Sequence, residues 1–121
     1  PGNILIRDCN FQNPDGVFEM DFGIKWCNNE PLRSITFENC RFSGINKPIL
    51  VRTEQARPLS ICLRNVTIAA QDQTLFFDGQ NCERVVLENV TLEGYTNPHM
   101  VINADCAVEV TGTTPFTIET V

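Results

Sequence analysis

The stretch SITFENCRFSG, residues 34–44, is the second of four copies of one phrase; the others are NILIRDCNFQN at 3–13, SICLRNVTIAA at 60–70 and RVVLENVTLEG at 84–94. Within it, alternate positions are apolar: Ile35 and Phe37 fall on one side, and after Asn39 the same side resumes at Cys40 and Phe42 with the phase moved by one residue. The same step occurs after Asn65, between Leu63 and Val66, and after Asn89, between Leu87 and Val90. A continuous strand cannot change phase in this way. One residue must leave the β conformation, and Asn is among the few non-glycine residues that tolerate a left-handed backbone. Each phrase therefore reads as two strands joined by a sharp bend at Asp8, Asn39, Asn65 or Asn89, spaced 31, 26 and 24 residues apart. Self-similarity at that period means that one supersecondary unit is stacked on itself, as in a parallel β-helix with one repeat per coil.

Stacking at the inter-strand spacing of roughly 4.8 Å brings the four bend side chains into a ladder. Asn39, Asn65 and Asn89 are expected to stack inside the coil, with Asp8, which cannot donate when ionised, at its end. A second register supports the first. VFEMDFG, PILVRTE, TLFFDGQ and HMVINAD each supply a further strand, and aligning Met20, Val51, Phe77 and Ile102 reproduces the bend intervals to within one residue. Prolines 31, 48, 58 and 98 precede strands, and Gly44 and Gly94 follow them, where a missing N–H or a tight corner is tolerated. The expected fold is all-β, a single-stranded parallel β-helix of about four and a half coils. There is no hexapeptide period of the left-handed kind and no sustained helical periodicity. AVEVTGTTPFTIETV, from Ala107, begins a fifth coil with Val108 and Val110 and then strays from the pattern.

A chain of 121 residues, 42% hydrophobic, suffices for one domain with a stacked apolar core. It carries no apolar run of membrane-spanning length and no signal peptide, so no membrane partner is expected. The strand pattern begins at once after Pro1 and Gly2 without an amphipathic helix to cover the first coil, and repeat folds need capped ends. The expectation is one domain over 1–121 that forms a C-terminal segment of a longer β-helix, in end-to-end contact with upstream coils. Six cysteines invite a disulfide reading, but Cys9 and Cys40 occupy equivalent inward places, and Cys82 and Cys106 stand about one coil apart. Stacked side chains point the same way at roughly 4.8 Å, whereas bridged Cβ atoms converge to about 3.8 Å, so free thiols are expected. No C-x-x-C pair occurs, and neither a metal site nor a cofactor is expected.

Outward on the first strand the aligned residues Arg7, Glu38, Arg64 and Glu88 alternate in sign, which gives each a partner above and below and disfavours a one-coil slip. Asn65-Val66-Thr67 and Asn89-Val90-Thr91 match the glycosylation acceptor pattern, but an internal ladder would have to open to admit a sugar. The least regular surface is the outward face of the mid-coil strand, with Glu19, Leu50, Phe76 and Val101 in one row and Asp21, Arg52, Asp78 and Asn103 beside them. An exposed Phe76 ring among Asp21, Arg52, Asp78 and Asn103 would make a sugar-stacking platform, so these five are the candidate substrate-binding residues. The equally available reading is that another part of a larger protein covers this face. His99, between Pro98 and Met100, reads as a turn residue, and no nucleophile–His–acid set, phosphate loop or metal triad is present. Nine basic against fifteen acidic residues, a net charge of −6, argues against nucleic acid and repels anionic polysaccharide at long range.

The phrases ITFENCRFSG and VVLENVTLEG, followed by short strands such as LFFDG, resemble the right-handed parallel β-helix of pectin-degrading enzymes, and most of all the C-terminal coils of the polygalacturonase-like family, glycoside hydrolase family 28. The resemblance runs over essentially the whole chain and rests on fold motifs. It implies a right-handed coil, a secreted, periplasmic or cell-surface bacterial parent that acts on polysaccharide, and inverting hydrolysis by paired carboxyl groups. That family's Asn-Thr-Asp, adjacent Asp pair, Gly-His-Gly and Arg-x-Lys are all missing here, so no catalytic residue carries over. The expected function is a C-terminal scaffold of a glycoside hydrolase, inactive alone; the alternative is a non-catalytic carbohydrate-binding or adhesion β-helix.

Overall fold

The computed structural model describes residues 3–12, 33–45, 47–52, 59–80 and 82–121, without the side chains of 52 and 80. It is all-β with parallel strands in two sheets. Strands β1 (Asn3–Arg7), β3 (Ser34–Glu38), β6 (Leu59–Arg64), β8 (Cys82–Glu88) and β10 (Ala107–Thr111) form the first sheet in that order. The second is built from β2 (Asn10–Gln12), β4 (Arg41–Ile45), β7 (Thr67–Gln80), β9 (Thr91–Ile102) and β11 (Thr117–Thr120), with β5 (Ile49–Arg52) also paired to β7. Each repeat thus supplies a strand to the first sheet, bends, and supplies the next to the second.

The quoted phrase explains this directly. Ile4, Ile35, Ile61, Val85 and Val108 lie in register across the first sheet, as do Ile6, Phe37, Leu63, Leu87 and Val110. The bend residues Asp8, Asn39, Asn65 and Asn89 have φ of 57°, 54°, 52° and 54°, the left-handed excursion that the phase shift requires. After it the chain turns its apolar side inward again, so that Cys40, Phe42, Val66, Ile68, Val90 and Leu92 join the same core. Phe11 stacks on Phe42 at 5.0 Å, and Phe37 meets Phe42 edge-on at 5.2 Å. Among the described residues no charged, amide or hydroxyl-bearing residue is fully buried, and of their side-chain polar atoms only the Tyr95 hydroxyl is buried without a partner. Stability therefore comes from apolar burial, at about 1.5–3 kcal/mol for each fully buried large side chain.

Two sequence expectations are corrected here. The ladder forms, but on the outside of the bend: Asn39, Asn65 and Asn89 are exposed, because the left-handed residue turns its side chain away from the core as the chain turns the corner. The mid-repeat strands also pair two residues away from the expected alignment. Ile49, Phe77, Met100 and Ile118 are partners in one row, whereas Val51 pairs with Gly79 and not with Phe77. A period-2 pattern repeats itself under a shift of two, and both Ile49 and Val51 point inward, so alternation alone cannot separate the two registers. The first-repeat strand with Glu19, Met20 and Asp21 lies outside the described residues.

The fifth repeat is more complete than its sequence suggests. Beyond Val110, Gly112 takes the bend position with φ 61°, and β11 returns to register against His99–Ile102. The five described cysteines are free thiols, as the stacking argument requires, and Cys27 lies outside the description.

Candidate functional site

Among the described residues the outward face of the mid-repeat strands is where the sequence places a ligand, and its geometry differs from the expected platform. Leu75 pairs with His99 and Phe77 with Met100, so β7 advances two residues while β9 advances one. Phe76 is the extra residue of this bulge. The bulge turns Phe76 inward together with Phe77, both at 0% exposure. Phe76 packs edge-on against Phe116 at 5.1 Å and Tyr95 at 6.2 Å, and it offers no ring face to a sugar. Gly79 makes the room: a Cβ there would come within 2.7 Å of the Phe77 ring and 2.9 Å of Cys82 Sγ.

The remaining expected site residues are not gathered into one group. Asp78 is half-buried and lies in a row with Leu50, Val101 and Glu119. The Arg52 backbone pairs with Gln80, two residues past Asp78, so the expected alignment of Arg52 with Asp78 does not hold. Asp21 is outside the described residues. Asn103 is occupied by structure: its Nδ2 donates to the Cys82 carbonyl at 3.0 Å and to Asp105, and its Oδ1 accepts the Cys82 N–H at 3.0 Å, so the amide acts as a short strand substitute at the start of β8. Glu119 enters the row from the segment that departs from the repeat pattern of the sequence. Its register with Val101 was recoverable only from the alternation of Ile118 and Thr120 about it.

The bend ladder is the most regular polar array. Asn39 Nδ2 donates to Asp8 Oδ1 at 3.3 Å, Asn65 Nδ2 to Asn39 Oδ1 at 3.2 Å, and Asn89 Nδ2 to Asn65 Oδ1 at 3.1 Å. All the amide dipoles point one way. Their N–H end meets the Asp8 carboxylate, the favourable sign for an anion, and their C=O end stops at Gly112. Because Asn65 and Asn89 are exposed, burial does not shield their acceptor motifs; their Nδ2 groups are instead engaged by the neighbouring rung.

Beside the ladder Arg7, Glu38, Arg64 and Glu88 stand in register as expected. Arg64 and Glu88 pair at 3.2 Å, Arg84 pairs with Glu109, and Arg41 reaches across one strand to Glu93 at 3.2 Å. These pairs are about half-exposed, and each contributes at most about 1 kcal/mol.

Four groups have displaced pKa values, and none lies in the row around Asp78. Burial pushes the Cys82 thiol up to about 12, with the nearby Cys106 adding to the effect, and burial alone raises the Tyr95 phenol to about 12. Cys62 and Cys106 are raised by the same cause, Cys106 with help from Asp105. Such shifts keep thiols protonated and unreactive. Among the described residues no group of His, Cys, Asp and Glu is arranged to hold a metal ion. No helix of the described residues is long and apolar enough to cross a membrane.

No protein-family model, curated protein or solved structure matches this chain.

Proposed function

We propose that this chain is a right-handed parallel β-helix module that serves as a non-catalytic scaffold in a polysaccharide-acting glycoside hydrolase of the pectin-degrading kind. The observation that carries the reading is the five-rung in-register parallel stack with a left-handed residue at every bend, the feature on which the sequence resembles that family. The right hand is part of the proposal and is supported by a general rule: strand, crossover and parallel strand in one sheet are right-handed in about 98% of cases. A scaffold role is supported by how the polar groups are used. Asn103 substitutes for a strand, the bend amides bond one another, and Arg64, Arg84 and Arg41 are each tied to a glutamate. The secreted or cell-surface location, the bacterial source and the contact with upstream coils belong to the same proposal.

The alternative, carbohydrate binding without cleavage, rests on the row Leu50, Asp78, Val101 and Glu119, where apolar and carboxylate side chains alternate from strand to strand. Reducing-end release from polygalacturonate and from neutral plant polysaccharides, together with calorimetric titration of their oligomers, separates the readings. The scaffold gives neither release above a blank nor binding heat. Binding that Asp78→Asn or Glu119→Gln weakens would favour the alternative, and release abolished by Asp78→Asn would overturn both.

A further inference from the structure

The fifth repeat replaces a strand with something else where the second sheet should continue. In the inner rungs main-chain bonds carry the sheet past the corner, with Thr67 N–H donating to Cys40 O at 3.0 Å and Thr91 N–H to Val66 O at 2.9 Å. Thr114 N–H likewise donates to Val90 O at 3.0 Å. From that point the pattern changes. Leu92 N–H, which in a parallel ladder would find the carbonyl of the facing residue, finds the Thr114 hydroxyl at 3.1 Å. Val90 N–H is met by the Thr113 hydroxyl at 3.2 Å, whose own proton goes to Thr111 O or Leu87 O.

The neighbouring residues complete the same arrangement. Gly112 sits at the ladder position without a side chain, and a Cβ there would lie 2.4 Å from Asn89 Oδ1, so the amide ladder ends. Pro115 has no N–H to offer a further strand. Phe116 fastens the segment by packing on Phe76.

We propose that Gly112–Phe116 is a strand-blocking plug, which satisfies the edge amides of the fourth repeat with side-chain hydroxyls and so denies that edge to any added strand, from a second copy or from an extended peptide. An open sheet edge is a template for pairing. The plug meets β9 at Leu92, ahead of β11, and at this end of the stack the described strands with an outer edge are the short β10 and β11.

The test removes the hydroxyls and keeps the side-chain shape. In Thr113→Val/Thr114→Val, amide hydrogen exchange at Val90 and Leu92 rises roughly tenfold or more over wild type, and the protein forms concentration-dependent oligomers in analytical ultracentrifugation. Thr113→Ser/Thr114→Ser, which keeps both acceptors, behaves as wild type. Thr114→Val alone, a milder change, raises exchange at Leu92 and not at Val90. Wild-type exchange rates at both amides in the double valine variant would overturn the proposal, as would a double valine variant whose self-association does not exceed that of the wild type.

Discussion

Replacing Asn65 separates two contributions at the bend. The residue holds φ 52°, and its side chain donates to Asn39 at 3.2 Å and accepts from Asn89 at 3.1 Å. Alanine loses both bonds and must also hold a left-handed backbone. The backbone cost is up to about 1–2 kcal/mol for a residue such as alanine, which has a Cβ but lacks the short polar side chain that lets Asn tolerate this region. The two amide bonds are solvent-exposed, so each belongs at the low end of the range, about 0.5 kcal/mol. Asn65→Ala is therefore expected to cost about 2–3 kcal/mol. Glycine loses the same bonds but adopts the left-handed region freely, so Asn65→Gly is expected to cost about 1–2 kcal/mol, including the entropy of a freer unfolded chain. Urea unfolding with a common m-value measures both. Equal losses in the two variants would refute the backbone argument, and a loss in Asn65→Ala no larger than in Thr67→Ala would refute any special role for the bend.

Four further outcomes follow from the packing. Gly112→Ala, at φ 61° and against Asn89 Oδ1, is expected to lower stability by about 1–2 kcal/mol in the same assay, and an unchanged midpoint would count against the described bend. Phe76→Ala is expected to cost about 3–5 kcal/mol, as for a wholly buried aromatic ring; a loss below about 1 kcal/mol would mean that the ring lies at the surface after all. The Tyr95 hydroxyl is buried without a hydrogen-bond partner among the described residues, so Tyr95→Phe should be neutral or stabilising at pH 7. The folded chain holds the Cys82 and Tyr95 protons to about pH 12, whereas the unfolded chain releases them near 9.0 and 10.0. Stability is then complete below pH 9 and declines between 9 and 12, less steeply in Tyr95→Phe; a thermal midpoint that is flat across this window would contradict the burial of both groups.

The bends and the first sheet were legible because a phase shift of alternation has one physical cause, and it recurred at every repeat. Asn39, Asn65 and Asn89 could be placed at the bend to the residue. Their exposure could not, because alternation fixes the sides of the strands before and after a left-handed residue but says nothing of its own side chain. The mid-repeat register was ambiguous for another reason. Ile49 with Val51 and Met100 with Ile102 are equally good inward pairs, and only hydrogen bonding selects between registers two residues apart. Phe76 lies inside because a bulge adds one residue to one strand and reverses the parity of its alternation, which the sequence pattern does not mark. Asn103 looked like a ligand amide and proved to be a hydrogen-bond cap, a role that depends on a strand 21 residues away.

The in-register stack itself is tested most directly by a crystal structure of this chain. Parallel neighbours should place the Cα atoms of Asn39, Asn65 and Asn89 in a line at intervals of roughly 4.8 Å, each with positive φ, on a right-handed path from sheet to sheet. Antiparallel hairpins, a left-handed path, or these three residues scattered in extended conformation would contradict it.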